Sequence, residues 1–267
     1  MQSSVQVYAL LDPVSPASHP GVKVYSLDSA AGLVSALETL GLGAKRPTLV
    51  IVGGASGLDD AQRDRLQALF DDVLAPLAEE LQLYVVDGGT DAGVMRMMGE
   101  ARTHIGGSFW LIGVAPRELV HLPDAPVTHP DASTLEPHHT HCLLVPGDRW
   151  GSESPWIAEV ATQLSGELPS ITVLINGGSV TWQDASASVQ AGREILIMAG
   201  SGRTADVMAA ALNGHSVDDP RMSPLMASGL LSAIDLEAEL SLLKRQLNTL
   251  LTTQVHSPHA EEERDVS

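Results

Sequence analysis

The sequence predicts an α/β protein whose mostly parallel sheet is flanked by helices, with a further helix near the C-terminus. Three observations carry this. Four short apolar runs each end in a turn that opens a helix: Leu49-Val-Ile-Val-Gly-Gly54, Tyr84-Val-Val-Asp-Gly-Gly89, Val173-Leu-Ile-Asn-Gly-Gly178 and Ile195-Leu-Ile-Met-Ala-Gly200. Strand-like and helix-like stretches alternate from about residue 48 to 213, the pattern of one α/β unit. The 267 residues, 44 % of them apolar, suffice for one large core.

In residues 1–44, two alternating runs at 5–10 and 22–27 are separated by a Pro/Ser/His-rich connector, which predicts two edge strands rather than a tight hairpin. Ser29 is then expected to cap a short helix ending near Gly41. The first core strand falls at 48–52. The helix after it places Leu66, Leu69, Phe70, Val73, Leu74, Leu77 and Leu81 on one stripe, and Pro76 should kink or split it. Further strands are expected at 83–86, 109–114, 141–145, 171–175 and 194–198. Residues 116–137, rich in Pro, Asp and His, read as a long loop of the kind that is usually functional.

The division expected is an N-terminal portion at 1–44, a nucleotide-binding core at 45–215, a helical segment at 216–255 and a disordered acidic tail at 256–267. In the third part Leu236, Leu240, Leu243, Leu247 and Leu250 form an a/d seam, which suggests a helix taking part in a homo-oligomer.

The 33 acidic and 15 basic residues give a formal charge of −18, with no Lys/Arg cluster, which argues against a nucleic-acid partner. Cys142 is the single cysteine, so no intrachain disulfide framework exists. The first residues lack a basic segment followed by an apolar one, and no apolar run approaches the ~18–20 residues that cross a bilayer. A cytoplasmic protein without a membrane partner is expected.

The glycine turns are suited to phosphate. Glycine lets backbone approach a ligand, and the next helix offers unpaired N–H groups at its positive end. Candidate ligand contacts are therefore Gly53, Gly54, Gly57, Gly88, Gly89, Gly93, Gly177, Gly178, Gly200 and Gly202. Thr90 can offer a hydroxyl, and Asp91 is placed as a helix N-cap. Tight strand–helix packing would also use glycines, but it would not require those two polar groups. Ser201 and Arg203 join the last turn. A cation at a helix N-terminus opposes the dipole, so Arg203 calls for an anion, or for Asp206 as an ion-pair partner. His139 and His141 share a strand face and are candidates for lining the site's mouth or for acid–base work. Cys142 falls on the opposite face, so a zinc set is incomplete and no metal is expected.

These segments resemble the SLOG superfamily, and within it the LSDAT group known from the cytoplasmic N-terminal region of melastatin-type TRP channels. The resemblance rests on Val52-Gly-Gly54, Gly88-Gly-Thr-Asp-Ala-Gly-Val-Met95 with Gly99-Glu-Ala101, and Ile112-Gly-Val-Ala-Pro116. It continues through Leu135-Glu-Pro-His-His-Thr-His141, Asn176-Gly-Gly178 and Gly200-Ser-Gly-Arg-Thr-Ala-Asp206, in order over roughly residues 45–215. It implies a Rossmann-like fold and a nucleotide-derived ligand such as ADP-ribose or a related NAD metabolite.

The resemblance also implies an alternative. Enzymatic SLOG relatives, the cytokinin-activating phosphoribohydrolases, carry a PGG-x-GT-x-x-E motif whose carboxylate assists N-glycosidic cleavage. Here the stretch is Asn176-Gly-Gly-Ser-Val-Thr-Trp-Gln-Asp184, with Asn176 for the proline, Val180 for the third glycine and Asp184 for the glutamate. A carboxylate set back by about one bond length can cost ~100-fold in rate. The expectation is a ligand-binding sensor module, with a nucleoside-phosphate or NAD-derivative hydrolase, catalysed by Asp184, His139 or His141, as the runner-up.

Overall fold

The computed structural model describes residues 5–8, 21–122 and 129–253. The expected tail at 256–267 and most of the connector at 9–20 lie outside the described residues. In chain order the elements are β1 (Gln6–Tyr8), β2 (Val22–Ser26), α1 (Leu33–Thr39), β3 (Thr48–Gly53), α2 (Asp60–Leu69), α3 (Ala75–Glu80), β4 (Tyr84–Asp87) and α4 (Gly93–His104). There follow β5 (Trp110–Pro116), β6 (Val120–His121), β7 (Ser133–Thr134), β8 (His141–Val145), α5 (Ser154–Ser165), β9 (Ser170–Ile175) and α6 (Ser179–Gln190). The last are β10 (Glu194–Ala199), α7 (Arg203–Leu212), α8 (Met222–Ala227), β11 (Leu231–Asp235) and α9 (Leu240–Thr252).

Nine strands form one sheet in the order β1-β2-β8-β5-β4-β3-β9-β10-β11. Every pairing is parallel except that of β1 with β2. The α/β architecture with a C-terminal helix is as the sequence predicts. Successive residues of a strand face opposite sides, so Val50 and Val52 join one core while Leu49 and Ile51 join the other. The first core lies under α1, α5, α6, α7 and α8, and the second under α2, α3, α4 and α9.

Pro76 splits its helix as expected. Its ring has no N–H and would clash with the carbonyl four residues back, and the chain answers with a wider π-helical turn at Phe70–Leu74, closed by an Ala75 N–H to Phe70 carbonyl bond. Four expectations need correction. Of the two N-terminal strands only β1 lies at an edge, because β2 also pairs with β8 and buries Val22 and Val24. Ser29 makes no side-chain cap. Loop 116–137 contains the short parallel pair β6–β7. The segment expected to be helical contributes β11, which extends the sheet beside β10; its mostly exposed, mixed pattern hid it from a periodicity search.

The leucine seam is also used differently. Leu236, Leu243, Leu247 and Leu251 are buried against the protein's own second core, alongside Phe70 and Leu74. The helix therefore spends its apolar face on its own sheet, and the seam gives no support to a subunit contact. Leu247→Ala should lower stability by ~2–5 kcal/mol in urea unfolding. Light scattering should show no change in molecular mass between wild type and variant.

Candidate functional site

The four turns do share one edge of the sheet, the carboxyl ends of β3, β4, β9 and β10. From β3 the chain builds outward through β4 and β5 on one side, and β9 to β11 extend the other side. The boundary between β3 and β9 is the topological switch point, where the loops diverge and leave a crevice. Gly53 is required there: its φ is +128°, and a Cβ would fall on the carbonyl oxygen of Ile175.

Asn176 ties the turns together. It is buried, and its φ of +51° is a left-handed value that asparagine tolerates and proline cannot reach. Its Nδ2 donates to the carbonyls of Ser201 at 2.7 Å and Ser56 at 3.2 Å, and its Oδ1 accepts the Gly177 N–H at 2.7 Å. The Ser201 hydroxyl in turn accepts the Asn176 N–H at 2.8 Å and donates to the Met198 carbonyl. The turns after β3, β9 and β10 are thus one hydrogen-bonded unit. Ser201 is wholly buried within it rather than presented to a ligand, and Gly202 abuts the Asn176 amide.

Two concavities open on this edge, on either side of the first turn of α6. The first, about 470 Å³, is lined by Gly53, Gly88, Thr90, Met95 and Trp150, with Glu153 and Ile157 near the start of α5 and Val180 and Asp184 on α6. Asp184 is buried and accepts a 2.5 Å bond from the Ser154 hydroxyl. Burial, with Glu153 nearby, pushes its carboxyl up to about 7, and burial likewise raises Glu153. The second, about 840 Å³, is lined by Gly177, Gly178, Ser179, Trp182, Arg203 and Arg221 among others. Arg203 is the first residue of α7, exposed, with a φ of +51°. Among the described residues no carboxylate pairs with it; Asp206 instead accepts the Gly200 N–H at 2.7 Å. The Arg203 guanidinium stands beside Gly178, with Nη2 3.2 Å from where a Cβ of that residue would be.

Several candidate residues have other work. Gly89, at φ +67°, packs backbone to backbone against Gly113 of β5, with only 2.7 Å between its notional Cβ and the Gly113 Cα. Gly93 packs in the same way against Gly54, whose N–H bonds the Ile175 carbonyl. Gly57 lies in the turn before α2 and Gly200 in the turn before α7, and neither lines a concavity. Asp91 does not cap α4, whose N-cap position is Ala92; it bonds Arg96 at 2.6 Å.

His139 and His141 do not line the crevice mouth. They border a recess at the opposite, amino edge of the sheet, with Lys23, Arg102 and Trp110. His139 is enclosed between carboxylates, its Nε2 2.8 Å from Asp87 and its Nδ1 2.7 Å from Glu136. Burial alone would push its imidazole down, but Asp87 and Glu136 outweigh that and hold it up at about 10. Burial would raise Glu136, yet bonds to His138 and His139 bring it down to about 2. Gly99 of α4 leaves the space that this carboxylate fills. Asp87 Oδ1 also accepts the Gly89 N–H at 2.7 Å, so the network anchors the turn after β4 from beneath. His141 bonds the Thr140 hydroxyl and the Leu40 carbonyl, and burial beside Lys23 and Arg102 lowers it to about 4.

A sheet of this order, with glycine turns at its carboxyl edge, can be compared with known families. The model of the family described as SLOG in TRPM, prokaryote, matches residues 46–244. The chain belongs to this family. It is also similar to transient receptor potential cation channel subfamily M member 2 of Rattus norvegicus, 26 % identical over 222 residues, 69 % of this chain and 14 % of that protein. The protein of the same name from Mus musculus matches over the same shares. The chain thus spans about 14 % of the length of these curated relatives. Among the described residues no helix is long and apolar enough to cross a membrane.

Sequence reading of this SLOG chain missed Glu136, Glu153, Trp150 and the bonding of Asp87. Asp87 adjoins a recognised motif and Glu136 lies within one, but nothing in the spacing says that Asp87, 52 residues before His139, bonds its imidazole. Glu153 has no local signal. The network sets a pH dependence. The stabilisation from His139 is complete below its ordinary 6.5 and is lost as pH rises through about 10. That from Glu136 is complete above 4.5 and is lost as pH falls through about 2. The stability gap between wild type and His139→Gln, followed by chemical denaturation, should therefore narrow steadily from about pH 6.5 to 10.

Proposed function

We propose that this protein binds a nucleotide or NAD-derived ligand, ADP-ribose-like in its diphosphate, and serves as a ligand-sensing module. The observation that carries the reading is Arg203. It stands in a left-handed conformation at the start of α7, a position the helix dipole disfavours for a cation, with no carboxylate partner among the described residues and Gly178 at its side. A diphosphate there would meet the guanidinium and the amides that open α6 and α7. Membership in the SLOG family supports the same reading. Arg203→Ala should weaken calorimetric affinity for ADP-ribose at least tenfold with the fold intact, since a charge-assisted contact of this kind contributes ~1.5–3 kcal/mol. Unchanged affinity would reject the assignment.

One observation favours a second reading, hydrolysis of an N-glycosidic bond. Asp184 lines the first concavity and can hold a proton near neutral pH. It could pass that proton to a departing base nitrogen while water adds to the sugar's anomeric carbon. Incubation with NAD, ADP-ribose and AMP, followed by chromatography for free base, separates enzyme from sensor: release abolished in Asp184→Asn supports the enzyme, and no release supports the sensor.

A further inference from the structure

Both concavities carry acidic residues, but among the described residues only the second also carries cations. The first carries Asp131, Glu153 and Asp184 and, among the described residues, no lysine, arginine or histidine. A phosphate would meet no cation there, although Gly53, Gly88 and Thr90 lie on its wall. The second holds Arg203 and Arg221 together with Asp206, Asp218 and Asp219; Asp219 pairs with Arg221 at 2.7 Å and Asp206 accepts the Gly200 N–H, so no carboxylate among the described residues pairs with Arg203, which is left for an anion. The α6 turn lies between them, with Val180 and Asp184 toward the first concavity and Ser179 and Trp182 toward the one that holds the arginines.

We propose that the acidic concavity takes the positively charged pyridinium ring of an oxidised nicotinamide dinucleotide, and selects it over the uncharged ring of the reduced form. This rests on the nucleotide reading above and adds the identity and orientation of the ring. The concavity suits such a group in three ways. Its volume of about 470 Å³ falls in the range of small-molecule sites. Met95, Ile157 and Val180 give an apolar lining, and Trp150 adds an aromatic face that attracts cations. Glu153 and Asp184 are both more than nine-tenths buried, so a cation beside them meets little solvent screening. Burial disfavours their ionised forms, and a bound cation would restore them. The diphosphate would then cross the α6 turn toward Arg203.

The test is calorimetry with three probes: carbocyclic NAD+, whose ring bond does not hydrolyse, NADH and ADP-ribose. Wild type, Asp184→Asn and Glu153→Gln are compared, with circular dichroism to confirm folding. Carbocyclic NAD+ should bind at least tenfold more tightly than NADH. Either substitution should erase most of that preference by weakening carbocyclic NAD+ more than NADH or ADP-ribose, which distinguishes lost charge from altered shape. If ADP-ribose binds but the two dinucleotides bind equally, the ring proposal is overturned and the nucleotide reading stands. A preference that survives in both folded variants overturns the role of the carboxylates. If none of the three probes binds, both readings fall together.

Discussion

The carboxyl edge of the sheet depends on one buried amide. Asn176 sits where β9 ends and holds the turns of its two neighbouring strands through its Nδ2, while its Oδ1 accepts from Gly177 in its own turn. The carbonyl of the wholly buried Ser201 would otherwise be deprived of a donor, at a cost of order 1–3 kcal/mol. The left-handed backbone at Asn176 fixes where Gly177 and Gly178 point, and so where α6 begins. It also accounts for one departure from the enzymatic relatives, since a proline ring cannot take that φ. Without this junction the loops at the switch point would have no fixed separation, and neither concavity would have a fixed wall.

The second constraint is electrostatic and lies beneath the first. His139 forms a buried cation between Asp87 and Glu136, and Glu136 also accepts from His138. Buried charges are tolerated only when each meets its counter-charge and hydrogen bonds. Here three segments distant in sequence supply them: the end of β4, the stretch before β8, and α4, which yields at Gly99. The result holds the Gly88–Gly89 turn rigid from below. Glycines that look like ligand contacts in a linear reading serve this packing, as Gly89 does against Gly113.

Within that frame the arginines among the crevice's described residues lie on one side only. Acid groups gather over β3 and β4, while Arg203 stands over β9 and β10. A chain with 33 acidic and 15 basic residues thus still presents, at a helix start, an exposed guanidinium with no carboxylate partner among the described residues. The arrangement suits a ligand with chemically different ends. It also explains how Asp184 can keep a proton near neutral pH, because the groups around it are a hydroxyl and another carboxyl rather than a cation.

The sequence by itself determined the fold class, the strand positions, the shared edge of the four turns and the family, because strand periodicity, glycine turns and helix starts are local and follow from neighbouring residues. It also placed Gly53, Gly88, Thr90, Gly177, Gly178 and Arg203, all of which line the two concavities. Only the tertiary structure decided which polar groups face the crevice. His139 and His141 have the spacing of site residues, yet the path from Leu135 to His141 carries them down the sheet and toward its other edge. Glu153 and Asp184 converge because α5 and α6 lie side by side, which no spacing in the chain records. The leucine seam was legible as an apolar stripe. That it covers its own sheet depended on β9 and the turn at Phe70–Leu74 leaving a face for α9, a fact of packing rather than of sequence.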